Sequence, residues 1–193
     1  MLALLMLASR AEAIRAMFEG PPPSGREAFI VWLAPKAREM QRRLGIPASA
    51  AIAQAMYEAL TPSGEPSFLA REAKNLYGMT AAGTGAGNPF WDGRRVFRGD
   101  REWRVYRSYS DSVMDYGHLF YRVAAYHPAL AYLDNPAAFL AHIVPIYAPA
   151  SDGNAGYLSA VVGLIERFNL TQYDVPRAEW ALDPNLTGGR VIA

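Results

Sequence analysis

Apolar residues recur at helical spacing along most of the chain, between stops rich in proline and glycine. Leu4, Leu7, Ala8, Ala11, Ile14 and Met17-Phe18 form the first series, with Arg10, Glu12 and Arg15 interleaved. The same segment has a second reading, a short secretory run over Met1 to Ala8 followed by the small-residue site Ala11-Glu12-Ala13, although no Lys or Arg precedes it. Gly20-Pro21-Pro22-Pro23 breaks the pattern, because proline removes a backbone donor and fixes φ. Ser24 and Glu27 have capping-box spacing and predict a helix from about Arg26 to Leu44. Phe29, Leu33, Ala37, Met40 and Leu44 lie on its apolar face, Pro35 predicts a kink, and Gly45 a stop. Pro47 suits the first turn of an alanine-rich helix over about Ala48 to Leu60, whose small side chains suit a central position. Thr61-Pro62-Ser63-Gly64-Glu65-Pro66 ends it, and a short helix over Ser67 to Ala73 follows.

Between Phe90 and Tyr109 the pattern changes. Val96, Phe97, Trp103, Val105 and Tyr106 flank Gly99-Asp100, which predicts a β-hairpin. Ser110 or Asp111 is expected to cap a helix running to about Ala125, with Val113, Tyr116 and Phe120 inward. Helices over Pro136 to Val144 and Gly156 to Phe168 complete the series, and from Thr171 onward periodicity dissolves. Helices, a small β excursion, then more helices imply an α+β domain with a hairpin lobe. The expected organisation is an N-terminal helix and proline linker over 1–23, a domain over 24–174 and an extended tail over 175–193.

At 193 residues the chain suits one domain with small appendages. With no cysteine, thiol catalysis and thiolate zinc sites are excluded. Nineteen Lys and Arg against 18 Asp and Glu leave a formal charge of +1, so no strong field points to nucleic acid. No uncharged apolar stretch approaches the ~20 residues of a membrane span. His118, His127 and His142 are too far apart to suggest a metal, and none is expected. Gly83 to Gly87 lacks the Lys-Ser/Thr of a phosphate loop and reads as a flexible loop. Arg94, Arg95, Arg98, Arg101 and Arg104 make the hairpin basic, a solvated face by default and a contact for an anionic polymer in the alternative.

Glu58 is the informative residue. It stands one turn beyond Gln54 on the alanine-rich helix, so both project from one face, and that helix has no basic residue to pair it. Desolvation there would raise its pKa and keep the acid protonated near neutral pH. The bland alternative is a solvent-facing residue at a helix end. Ile46-Pro47-Ala48-Ser49-Ala50-Ala51-Ile52-Ala53-Gln54-Ala55-Met56-Tyr57-Glu58 resembles the catalytic helix of the bacterial and phage endo-β-N-acetylglucosaminidases that cut peptidoglycan, a family that includes the flagellar rod muramidase. Asn75-Leu76-Tyr77-Gly78-Met79, then Trp103-Arg104-Val105-Tyr106-Arg107-Ser108-Tyr109 with Asp115-Tyr116, then Tyr147, Tyr157 and Asn169 to Asp174 resemble its later blocks, in order.

The resemblance implies a lysozyme-like α+β fold, mainly a helical lobe with a small β-hairpin lobe flanking a substrate cleft. It implies cleavage of β-1,4 bonds in glycan strands without a cofactor, in the periplasm, at the cell wall or on a virion. Glu58 matches the catalytic acid, and Tyr147 a tyrosine thought to assist it. Gln54, Asn75, Tyr77, Trp91 and Tyr157 are the expected substrate-binding positions. The chain departs from the family at Ala59-Leu60-Thr61-Pro62, where Ser-Gly-Trp-Gly is common, and in a longer segment between Tyr147 and Tyr157. It also lacks a recognisable Thr-x-Glu in the hairpin lobe. Asp92 is the nearest second acid and Asp100 sits at the hairpin turn. Two other readings stay open: a phage-tail or flagellar-rod component docking through the N-terminal helix or C-terminal tail, and a lytic transglycosylase.

Overall fold

A computed structural model describes residues 19–81 and 88–189; the expected N-terminal helix and the loop Gly83 to Gly87 lie outside these. Helix α1, Arg26–Leu44, buries Phe29, Leu33, Ala37, Met40 and Leu44 completely, the face its periodicity predicts. Its start differs from the expected capping box. Gly25 takes the N-cap position, its N–H donates to the Gly64 carbonyl at 2.9 Å, and the Ser24 hydroxyl donates to Glu65 rather than reaching back into the helix. The loop after the next helix thus supplies partners that the local sequence offered elsewhere.

Helix α2, Ala48–Ala59, is buried except at Tyr57 and Glu58. Its alanines let it lie among α1, the later helices and the turn at Leu170–Tyr173. Pro47 precedes it with no side-chain cap, so its first N–H groups need partners from elsewhere. Asp174 provides them from 125 residues away, accepting from the Ser49 N–H and hydroxyl, both at 2.8 Å. Buried Gln41 accepts from the N–H groups of Ala48 and Val175. These bonds fix the helix that carries Glu58 against the C-terminal segment.

Helix α3, Phe68–Glu72, starts at Ser67, whose hydroxyl accepts from the Ala70 N–H. Strands β1, Arg95–Arg98, and β2, Arg101–Arg104, pair antiparallel around Gly99, at φ 68°, and Asp100. The free edge of β2 bonds the segment before it: Arg104 N–H to the Met79 carbonyl and Ala81 N–H to that of Glu102. Helix α4, Tyr109–Arg122, is capped by Ser108 rather than by Ser110 or Asp111; the Ser108 hydroxyl accepts from the Asp111 N–H, while Ser110 bonds Glu19. Val113, Tyr116 and Phe120 are inward as predicted.

The hairpin is tied to the helical lobe by one buried carboxylate. Asp115 of α4 accepts from the Arg104 guanidinium, from Tyr106 Oη at 2.6 Å and from Asn88 Nδ2 at 2.7 Å, with Arg122 at 3.6 Å. Asp115 and Arg104 are both essentially sealed from solvent. A charge pair is retained in such a place only with its remaining hydrogen bonds filled, as here.

A 3₁₀ stretch, Ala124–Tyr132, leads into α5, Pro136–Tyr147, and then α6, Tyr157–Arg167. The expected extended tail is a packed segment over its described part. Ala181 and Asp183 N–H groups bond the last carbonyls of α1 at Arg42 and Arg43, Asp183 pairs with Arg43 at 2.8 Å, and Trp180 packs near Gly45. The short helix α7, Pro184–Thr187, buries Leu186 and Thr187. Free carbonyls at the end of α1 are the physical reason, since they need donors that no local residue supplies.

Candidate active site

Glu58 ends α2 on the wall between the lobes. It lines a cavity of about 350 Å³ with Tyr77, Gly78, Trp103, Tyr147 and Asn154. It also borders a second, more open cavity, lined by Phe68, Leu69, Arg98, Asp100 and Trp103. The two together form a groove crossing the acid, with Trp103 in both walls. Burial pushes the Glu58 pKa up, partly offset by a hydrogen bond from Tyr157. Glu58 is therefore neither sealed away nor directed into bulk water.

Behind the acid lies a buried polar chain. Tyr116 Oη donates to Gln54 Oε1, Gln54 Nε2 donates to Tyr157 Oη at 3.2 Å, and Tyr157 Oη donates to Glu58 Oε1 at 2.7 Å. Tyr157 begins α6 and Tyr147 ends α5, so the long segment between them brings both rings to Glu58. Tyr147 Oη donates to the Tyr77 carbonyl, and burial with Glu58 nearby raises its pKa well above the ordinary phenol value. Gly78, at φ 58°, passes close to the carboxyl: a Cβ there would stand 3.2 Å from Glu58 Oε2.

Several expected substrate contacts have other occupations. Gln54 is fully buried and uses both ends of its amide on tyrosines. Asn75 is buried too: its Nδ2 donates to the carbonyls of Met79 and Arg104, and its Oδ1 accepts from the Met79 N–H. It shapes the turn at Gly78 and does not face the groove. Tyr77 stacks on Tyr116 at 4.1 Å with its ring out of solvent, so no sugar reaches its face. Tyr157 is 2% exposed and engaged with Glu58. Trp91 is buried, donating to the Arg94 carbonyl, with the Arg104 guanidinium 4.8 Å from its ring. Trp103, half-buried and paired across the hairpin with Val96, is the aromatic shared by both cavities among the described residues. Its place in a hairpin strand beside the groove was the available signal.

Asp92 does not line either cavity that Glu58 shares. Its carboxylate is exposed and bonded to Arg94, which holds it below the usual range. Asp100 does line the second cavity, while pairing with Arg101 at 3.3 Å. The basic hairpin is largely neutralised: Arg94 pairs with Asp92, Arg95 with Glu102, Arg101 with Asp100 and Arg104 with Asp115. Arg98 instead lies 4.0 Å from the Phe68 ring, across the second cavity.

The family model for glucosaminidases, described as mannosyl-glycoprotein endo-β-N-acetylglucosaminidase, matches residues 34–170. No curated protein matches the chain significantly. Among solved structures, the catalytic domain of the autolysin Auto from Listeria monocytogenes is similar, at 22% identity and TM-score 0.61, over 86% of this chain and 96% of that one. The Staphylococcus aureus N-acetylmuramoyl-L-alanine amidase gives 24% and 0.60 over 79% of this chain and 44% of that one. The glycoside hydrolase domain of Salmonella typhimurium FlgJ gives 21% and 0.51 over 77% and 91%. The mainly helical, lysozyme-like α+β arrangement expected from the sequence is the observed one.

Proposed function

The chain belongs to the glucosaminidase family and is a glycoside hydrolase, and from that premise we propose that it cuts β-1,4 bonds in the glycan strands of peptidoglycan, outside the cytoplasmic membrane, with Glu58 as general acid. The observation that carries this reading is the setting of Glu58: a desolvated carboxyl with raised pKa on the wall of a groove open to a polymer. A general acid works best when its pKa lies near the working pH, and burial moves Glu58 in that direction. Glu58 gives its proton to the bridging oxygen as the bond from that oxygen to the anomeric carbon breaks. The leaving sugar departs as an alcohol, and Glu58 becomes a carboxylate. Trp103 offers the ring on which a sugar face stacks in either cavity.

The anomeric carbon then needs a nucleophile. Among the described residues lining the 350 Å³ cavity, Glu58 is the single carboxylate, and residues 82–87 contain none; the other carboxylate of the groove, Asp100, stands in the second cavity and is paired with Arg101 at 3.3 Å. This supports attack by the substrate's own N-acetyl oxygen, or closure of an anhydro ring, over a second protein carboxylate acting as base. Val175, Ala181 and Asp183 bond the chain's own α1, and Leu186 and Thr187 are buried, which favours the catalytic reading over docking of that part of the tail into an assembly.

Incubating the protein with purified sacculi and weighing the products by mass spectrometry tests both statements. Muropeptides released by the parent protein and absent with Glu58→Gln are expected, and anhydro or reducing ends identify the fate of the anomeric carbon. Release at the parent rate by Glu58→Gln refutes the assignment.

A further inference from the structure

The polarity of the buried chain behind Glu58 has a consequence for where its proton sits. Glu58 has two oxygens in different places. Oε1 receives the Tyr157 hydroxyl at 2.7 Å, and Oε2 lies on the Gly78 side, where the missing side chain leaves room beside the cavity. A proton on Oε1 faces inward and is of no use to a sugar. A proton on Oε2 faces the cavity.

Which oxygen carries it depends on the direction of every bond in the chain. Tyr157 has one hydroxyl proton, and it goes to Glu58 only if the phenol oxygen receives its other bond from a donor. The Gln54 Nε2 group, which can only donate, is that donor at 3.2 Å. Gln54 presents Nε2 there because its Oε1 is engaged by the buried Tyr116 hydroxyl. Turning the amide over would set two donors against each other at Tyr116 or leave its proton with no acceptor, which a buried site penalises. It would also draw the Tyr157 proton to Gln54 and set two oxygen lone pairs face to face at Glu58 whenever the carboxyl is ionised.

Resting on the reading of Glu58 as the acid, we propose that Gln54 is a positioning residue that acts through Tyr157, holding Oε1 as acceptor throughout the reaction and keeping the transferable proton on Oε2. The arrangement serves both states of the acid. Protonated, Glu58 gives from Oε2; ionised, it still accepts at Oε1 and is ready to take a proton back on the same oxygen. The titratable and charged groups facing it are Tyr157 and Tyr147 from the ends of α6 and α5, Tyr126 from the 3₁₀ stretch, Tyr77, Arg101 and Arg104 on the hairpin side of the first cavity, and Arg98 and Asp100 in the second.

The test uses Gln54→Glu, Tyr157→Phe and the double variant of the full chain, assayed on solubilised glycan strands from pH 4 to 9. Gln54→Glu keeps the volume and the acceptor for Tyr116 and, wherever its new carboxyl is ionised, sets an oxygen in place of the donor to Tyr157. Each single variant is expected to lower kcat by tenfold or more with KM within about twofold. The alkaline limb moves to higher pH in both, because Glu58 loses the hydrogen bond that lowers its pKa. In the double variant the loss is close to that of Tyr157→Phe alone, as for two residues acting in series. Circular dichroism and melting temperature check that each variant is folded. Unchanged kcat and pH limb in Gln54→Glu, or losses that multiply in the double variant, overturn the inference while Glu58→Gln remains inactive. Activity retained by Glu58→Gln removes the acid itself, and the inference with it.

Discussion

Replacing Asp115 by alanine should be among the most damaging single changes available outside the groove. The side chain is fully buried and is the common acceptor for Arg104, Tyr106 and Asn88, with Arg122 at 3.6 Å. Arg104 is itself 2% exposed, so in the variant its guanidinium would lose this carboxylate in a place water does not reach. Breaking a buried pair from one side costs about 3–5 kcal/mol. For a chain of this length about 1 kcal/mol corresponds to ~2–4 °C in melting temperature. Asp115→Ala is therefore expected to melt ~6–20 °C below the parent by calorimetry at pH 7. The control is Arg95→Ala, which breaks a half-exposed pair with Glu102 worth about 0–1 kcal/mol. Because Arg104 follows Trp103 in β2, glycan cleavage should fall with stability as the hairpin loosens. A melting point for Asp115→Ala no lower than that of Arg95→Ala would refute the claim that this carboxylate joins the lobes.

The raised pKa of Glu58 makes two effects of one substitution diverge. Between the unfolded and folded values the native state holds more protons, so stability falls as pH rises through that window; Glu58→Gln, which does not titrate, should melt at or above the parent there while losing lysis, and a lower melting point would contradict the sign. Gly78→Ala combines a positive φ with a Cβ 3.2 Å from Glu58 Oε2, and should reduce turnover by more than its loss of ~1 kcal/mol in stability explains, as read by comparing initial rates with denaturant midpoints. Gly117→Ala would place a Cβ 2.6 Å from Met40 Sδ and 2.8 Å from Leu44 Cδ1, an overpacking expected to lower stability by about 1–3 kcal/mol in urea unfolding with the groove untouched. Asp92→Asn should leave turbidity clearance within about twofold of the parent, since Asp92 lines neither cavity of Glu58.

What the sequence determined alone was local. The apolar face of α1, the alanine helix with Glu58 near its end, the Gly99-Asp100 turn and the order of helices all follow from periodicity and from glycine and proline stops. The motif blocks pointed to Glu58 as the proposed acid in the same way, because a contiguous helix carries its own register. Partner choice was decided by the tertiary structure. The Ser24 and Glu27 spacing suggested a cap, but Gly64 and Glu65 lie closer in space. The N-terminus of α2 waits for Asp174, and Gln54 and Asn75, polar residues beside an acid, are consumed by tyrosines and backbone carbonyls. Four arginines that made the hairpin look cationic each acquire a carboxylate, one of them buried from another helix. The reason is physical: a buried polar group must be satisfied by whatever the fold brings within about 3 Å, however distant in the chain. Local pattern therefore reveals which segments form, and only their packing reveals which side chains are left to meet a substrate.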